Sequence, residues 1–172
     1  MVEKKVVMII AHRNFRDEEL LDTKKVIEAS GVKAIVASTE LTTATGMFGA
    51  KAIPNIKVED VKVEDYDGII FVGGSGAETY FSNKKALEIA KKGYEKNKVV
   101  GAICIAPAIL ANAGILKAKK ATVWNGKYKE ILKKGGAIYT GEPVTTDGKI
   151  VTANGPESAS SFGKKIVEVL GR

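Results

Sequence analysis

The stretch VVGAICIAPAIL, residues 99–110, decides the fold. Its first five residues are apolar or small without alternation, the pattern of a strand covered on both faces. Pro107 then stands where a helix can open, because the N–H it lacks would be unpaired in a first helical turn anyway. A buried strand that runs straight into a helix is the repeating unit of a parallel sheet wound by helices, and Cys104 occupies the turn between them.

Reading outward, the same kind of buried run recurs at residues 5–11 (KVVMIIA), 33–38 (KAIVAS), 68–72 (GIIFV) and 121–124 (ATVW). Helical spacing separates them: residues 17–30 carry Leu20, Leu21, Val26 and Ile27, and residues 156–170 carry Phe162, Ile166, Val167 and Leu170 behind Pro156. The expected architecture is α/β, a flavodoxin-like doubly wound and mostly parallel sheet in a three-layer sandwich. Two excursions interrupt it. Residues 42–63, with Gly46, Gly49 and Pro54, read as a small hairpin outside the alternation. Residues 143–146 and 149–153 flank Asp147 and Gly148, a pair whose tolerance of positive φ favours a tight hairpin. No linker or low-complexity tract divides the chain, so residues 1–172 read as one domain.

Composition narrows the function. An apolar content of 45% supports a core without covalent staples, and one cysteine permits no internal disulfide. With His12 the sole histidine, too few soft ligands remain for a zinc site, and neither metal nor cofactor is expected. The net charge of +7 comes mostly from lysines spread over amphipathic segments, which suits a solvated surface better than a nucleic-acid groove. No apolar run reaches the roughly 18 residues of a membrane span, and no cleavable leader is read, so no membrane contact and a cytoplasmic location are expected. Abundant Lys and Glu without any Gln fit a hot environment.

Reactive groups in an open parallel sheet gather beyond the carboxyl ends of the strands. Three loops qualify: residues 12–17, residues 73–76 and residues 104–107. At the last, a helix N-terminus would direct its amides and positive dipole end at Cys104, favouring thiolate over thiol. The N–H groups of Gly74 and Ile105 then form a candidate oxyanion hole. The plainer alternatives are a buried cysteine acting as a small hydrophobe and a glycine turn required only for its backbone. As a dinucleotide fingerprint the GSGAET run is weak, since it lacks the third glycine and follows a late strand.

Phe15, Glu19 and Leu20 after the first strand, Gly73 and Gly74, the Ala102-Ile103-Cys104 elbow with Pro107, the AGIL run at 113–116 and the tail DGKIVTANGPESASSF at 147–162 together resemble the ThiJ/PfpI superfamily. That group holds PfpI-type intracellular proteases and the Parkinson-disease-associated protein deglycase. The resemblance covers nearly the whole chain. It implies that Cys104 is the nucleophile and that Glu19 is a protonated carboxyl donating to its sulfur. It also implies a homo-oligomer, dimer or larger, acting on a small carbonyl substrate or a peptide. Ile105 stands where PfpI-type proteases carry histidine, and Trp124 where the deglycase-like branch carries one. His12, at the end of the first strand and expected next to the elbow strand, is the candidate replacement base, the alternative being a packed, partly buried histidine. Gly73 and Trp124 are expected at the pocket, Trp124 as a wall or an interface anchor, and Arg13 and Arg16 either bind an anionic group or, the plainer reading, pair with Asp17 and Glu18.

Two function classes follow. One is a cysteine-dependent hydrolase or lyase, protease-like or glyoxalase/deglycase-like. The other is a non-enzymatic stress-response protein or chaperone whose Cys104 is oxidised and sensed. A third possibility is an inactive homologue whose pocket Ile105 closes. Amidotransferase chemistry is excluded, because it needs a histidine downstream of the nucleophile.

Overall fold

The structure, a computed structural model, describes residues 3–172. In chain order its elements are β1 (Lys5–Ile9), β2 (Arg13–Phe15), α1 (Asp17–Ala29), β3 (Lys33–Ser38), β4 (Ala44–Gly46), β5 (Lys51–Ala52) and β6 (Ile56–Lys57). There follow β7 (Gly68–Phe71), α2 (Lys84–Glu95), β8 (Val99–Ile103), α3 (Pro107–Asn112), β9 (Lys120–Ala121) and α4 (Tyr128–Lys134). The chain closes with β10 (Ile138–Tyr139), β11 (Val144–Asp147), β12 (Ile150–Ala153) and α5 (Ala159–Leu170).

The main sheet has the order β11-β12-β8-β7-β1-β3-β6 and is parallel except at β11. Alternate residues of its strands feed two cores. Val7, Ile9, Ile69, Phe71 and Val100 face Ile89 of α2 and Ile109 and Leu110 of α3. Val6, Met8, Ile70 and Ile103 join Leu20 and Ile27 of α1 and Phe162 and Ile166 of α5. Both sheet faces are thus covered, which is why the strands read as apolar runs without a polar side. The expected three-layer, flavodoxin-like architecture is what the chain adopts. Leu21 departs from the helical spacing read for α1: its neighbour Leu20 takes the inward position and Leu21 is exposed.

Three local expectations are corrected. The run at 121–124 does not extend the main sheet. Only Lys120–Ala121 is strand, paired with β10 in a separate two-stranded sheet, because the Thr122 amide donates to Thr152 Oγ1 at 2.9 Å and the Trp124 amide to the Cys104 carbonyl at 2.8 Å. The hairpin at the tail is no excursion, since β12 lies parallel to β8 and β11 forms the sheet edge. Its turn is also shifted by one residue. Asp147 pairs with Ile150, leaving Gly148 and Lys149 as the central pair, of which only Gly148 has positive φ, at 58°. The segment 42–63 does hold the expected small hairpin, β4 with β5, and it pairs through β4 with β2.

Candidate active site

Cys104 follows directly on β8 with φ 65°, a left-handed conformation that costs a non-glycine residue about 1 kcal/mol or more. Two backbone bonds hold it there. Its N–H donates to the Ala153 carbonyl at 2.9 Å, and its carbonyl accepts the Trp124 N–H at 2.8 Å. The elbow is therefore clamped between β12 and the segment after β9.

Glu19 reaches the elbow from the first turn of α1 and is fully buried. Its Oε1 accepts the Gly73 N–H at 2.9 Å. Its Oε2 is buried without a hydrogen-bond partner among the described residues, and the Cys104 thiol is near enough to influence its titration. Gly73 lies between the two: a Cβ there would stand 2.5 Å from Glu19 Oε1 and 2.6 Å from Cys104 Cβ. The amides of Gly74 and Ile105 lie where they favour the thiolate form of the sulfur. The sequence thus identified a set of groups, Cys104, Glu19, Gly73, Gly74 and Ile105, that the fold brings together.

The electrostatics differ from expectation. The thiol is not lowered; burial, with the Glu19 carboxylate beside it, pushes it up to about 12 against the pull of the Gly74 and Ile105 amides. Cys104 is only 7% exposed, and α3 is a six-residue helix that begins after an intervening turn, too short to offset the loss of water. Burial likewise pushes the Glu19 carboxyl up to about 8, so it keeps its proton at neutral pH. The two groups titrate as a pair: near pH 8 the pair sheds its first proton, and the one remaining is shared between Oε2 and Sγ.

His12 is not at this site. β7 lies between β1 and β8, so the end of the first strand does not adjoin the elbow strand as expected. The imidazole instead faces the β3–β4 connection, with Nε2 3.2 Å from Thr42 Oγ1 and 3.7 Å from Glu40 Oε2. Ile105 is buried in the core on the α1 and α5 side, so it does not project into the neighbouring cleft. Arg16 makes the expected pair, Nε to Glu18 Oε2 at 2.6 Å, and its amide donates to the Gly73 carbonyl at 2.9 Å, whereas Arg13 pairs with neither Asp17 nor Glu18 among the described residues.

A cleft of about 500 Å³ adjoins the elbow, walled by Trp124 as expected and also by Arg16, Glu18, Asn125, Asn154, Gly155, Pro156 and Glu157; Gly73, expected in that wall, is instead buried between Glu19 and Cys104. The backbone of Cys104 is bonded to Trp124 in this wall and to Ala153, which precedes the wall residue Asn154. Asn125 and Asn154 escaped the sequence reading because each precedes a glycine, and an Asn-Gly pair reads first as a turn. Asp17, expected only as an arginine partner, has another role: buried at the start of α1, it accepts the amides of Phe48 at 2.9 Å and Ala50 at 2.7 Å. Among the described residues, no three His, Cys, Asp or Glu side chains are grouped to hold a metal ion, and no helix is long and apolar enough to cross a membrane.

A model of the DJ-1/PfpI family matches residues 4–169. An uncharacterised protein of Methanocaldococcus jannaschii is 44% identical over 99% of this chain and 84% of its own. A deglycase of Pyrococcus abyssi is 29% identical over 95% of this chain and 98% of its own. The crystal structure of a ThiJ/PfpI domain protein from Brachyspira murdochii superposes with a TM-score of 0.94 at 31% identity, covering 99% of this chain and 98% of that one.

Proposed function

Since the chain belongs to the DJ-1/PfpI family, we propose that it is a cysteine-dependent lyase or hydrolase of small carbonyl compounds, with Cys104 as nucleophile and Glu19 as its proton partner. The observation that carries this reading is the shared burial of the Glu19 carboxyl and the Cys104 thiol around Gly73. A carboxyl tuned to about 8 is a usable base near neutral pH, and it stands where no imidazole does.

The steps follow from that pairing. Glu19 in its ionised form takes the Sγ proton, and the thiolate adds to an aldehyde carbon. The carbonyl oxygen becomes an alkoxide, is held by the Gly74 and Ile105 amides, and takes the proton from Glu19 to give a hemithioacetal. With a 2-oxo aldehyde, the aldehyde hydrogen then moves to the adjacent ketone carbon. The former aldehyde carbon rises to a thioester and the ketone falls to an alcohol, so no external oxidant is needed. Water cleaves the thioester, releasing a 2-hydroxy acid and regenerating the thiol.

Peptide hydrolysis has less support, because expelling an amine needs an acid beside the leaving group and the only imidazole faces Glu40. The redox-sensing reading has less support, because the relatives that carry a functional name are deglycases and a glyoxalase. The proposal includes a cytoplasmic homo-oligomer. Leu41, Phe48 and Ile53, large apolar side chains left exposed around the β4–β5 hairpin, support the oligomer, and sedimentation of the purified chain tests it.

The deciding assay incubates the protein with methylglyoxal and measures lactate. Wild type is expected to produce it and Cys104→Ala to produce none. Undiminished turnover in Cys104→Ala overturns the assignment.

A further inference from the structure

The cleft beside the elbow is several times larger than methylglyoxal requires, and the reaction at Cys104 leaves its wall chemistry unused. Trp124 is seated by Gly155: a Cβ at that position would lie 2.8 Å from the indole Cζ3 and 2.9 Å from Cε3. The Cζ3–Cε3 side of the ring therefore packs against Gly155, and Trp124 remains 43% exposed along the cleft.

The polar groups around that ring are largely uncommitted. Asn154 spends its Oδ1 on the Ser158 hydroxyl at 2.9 Å, which leaves its NH2 group free. Arg16 spends Nε on Glu18 and stacks its guanidinium 4.7 Å from the centre of the Phe48 ring, which leaves the in-plane N–H groups of its two terminal nitrogens. Asn125 and Glu157 make no side-chain hydrogen bond or ion pair among the described residues. A simple anion is a poor fit, because Glu18 and Glu157 oppose the single guanidinium. A purely apolar ligand would strip water from all of these groups without replacing it.

We propose that the cleft selects a polyhydroxylated substrate, a hexose- or pentose-derived 2-oxo aldehyde whose carbonyl end reaches Cys104 while its hydroxylated tail lies along Trp124. A sugar-like chain offers a C–H face to an indole, and its hydroxyls donate to a carboxylate and accept from amide and guanidinium N–H groups in the same plane. The nature of the reacting end rests on the function proposed above; the recognition of the tail does not.

Trp124 is the only tryptophan in the chain, so its emission reports occupancy without turnover. The experiment titrates Cys104→Ala with 3-deoxyglucosone, methylglyoxal and glyoxylate while reading that emission. It then compares kcat/KM for 3-deoxyglucosone and methylglyoxal in wild type and Asn125→Ala. Saturation by 3-deoxyglucosone at a concentration about tenfold below methylglyoxal is expected, with the kcat/KM ratio falling about fivefold in Asn125→Ala. Equal half-saturation for the two aldehydes, or tightest binding of glyoxylate, overturns the proposal. If neither aldehyde is turned over by wild type but the sugar-derived one still saturates the emission, the reaction fails and the recognition stands. If both are turned over equally and the emission shows no preference, the reverse holds.

Discussion

The Gly73 N–H and the Glu19 Oε1 are 2.9 Å apart, a distance available only because residue 73 carries no side chain. A methyl group would stand 2.5 Å from that oxygen and 2.6 Å from Cys104 Cβ, with the Ile103 carbonyl closing the third side at 2.7 Å. Gly73→Ala must therefore push the acid and the sulfur apart. The expected result is a fall in kcat/KM of about a hundredfold, the size of an effect that displaces a reacting group by an ångström. The same variant should also lose the dependence of Cys104 alkylation on Glu19. Retention of wild-type kinetics would show that the pair tolerates the wider spacing.

The Glu19 carboxyl sets a pH dependence with a definite sign. Its pKa in the fold is about 8 against an ordinary 4.5, so the folded state holds a proton that the unfolded state releases. The stabilisation is complete below about 4.5 and is lost as pH rises through 8, with at most about 5 kcal/mol at stake by linkage. Denaturant midpoints should decline across that window in wild type and stay flatter in Glu19→Gln. Alkylation of Cys104 should rise through the same pH 8 inflection in wild type, and the inflection should vanish in Glu19→Gln. A Glu19→Gln profile superimposable on wild type in both measurements rules out the shared proton.

These dependences could be anticipated only in part from the sequence. The elbow was legible because an unbroken apolar run followed by Pro107 is local information. The role of Glu19 came through resemblance, since spacing alone does not distinguish it from Glu18. The place of His12 was not legible, because it depends on β7 inserting between β1 and β8, a pairing order with no local signature. The thiol was misjudged for a related reason. A sequence shows that a helix starts after Cys104, but not that α3 is six residues long or that the sulfur is nearly closed to water. The tail hairpin is legible in the sequence but its turn lies one residue further on, because Asp147 continues β11 and its carboxylate accepts the Lys120 amide at 2.8 Å.

Asp17 anchors the segment that crosses above the first turn of α1. Burial would raise its carboxyl, but the Phe48 and Ala50 amides outweigh that and hold it below the ordinary 3.8. Its stabilisation is therefore present above that value and lost as pH falls through the folded one. Asp17→Asn turns an NH2 group toward one of those amides, at a cost of about 1–3 kcal/mol in denaturant unfolding. Hydrogen exchange should quicken at Phe48 and Ala50 while β8 stays protected. Unchanged exchange at both amides would mean that the hairpin is held by other contacts.

Gly155→Ala tests the seat of the indole separately from the chemistry of the thiol. The residue has φ 162°, extended backbone open to any side chain, so the substitution acts through contact and not through strain. The added methyl would stand 2.8 Å from the Trp124 ring and must tilt it away from the Gly155 backbone into solvent. Trp124 emission is expected to shift to longer wavelength. Because the Trp124 amide, and not its ring, holds the Cys104 carbonyl, Cys104 alkylation should change by no more than about twofold. An unshifted emission would mean that the ring does not rest on residue 155, and a collapse of alkylation would mean that the ring itself supports the elbow.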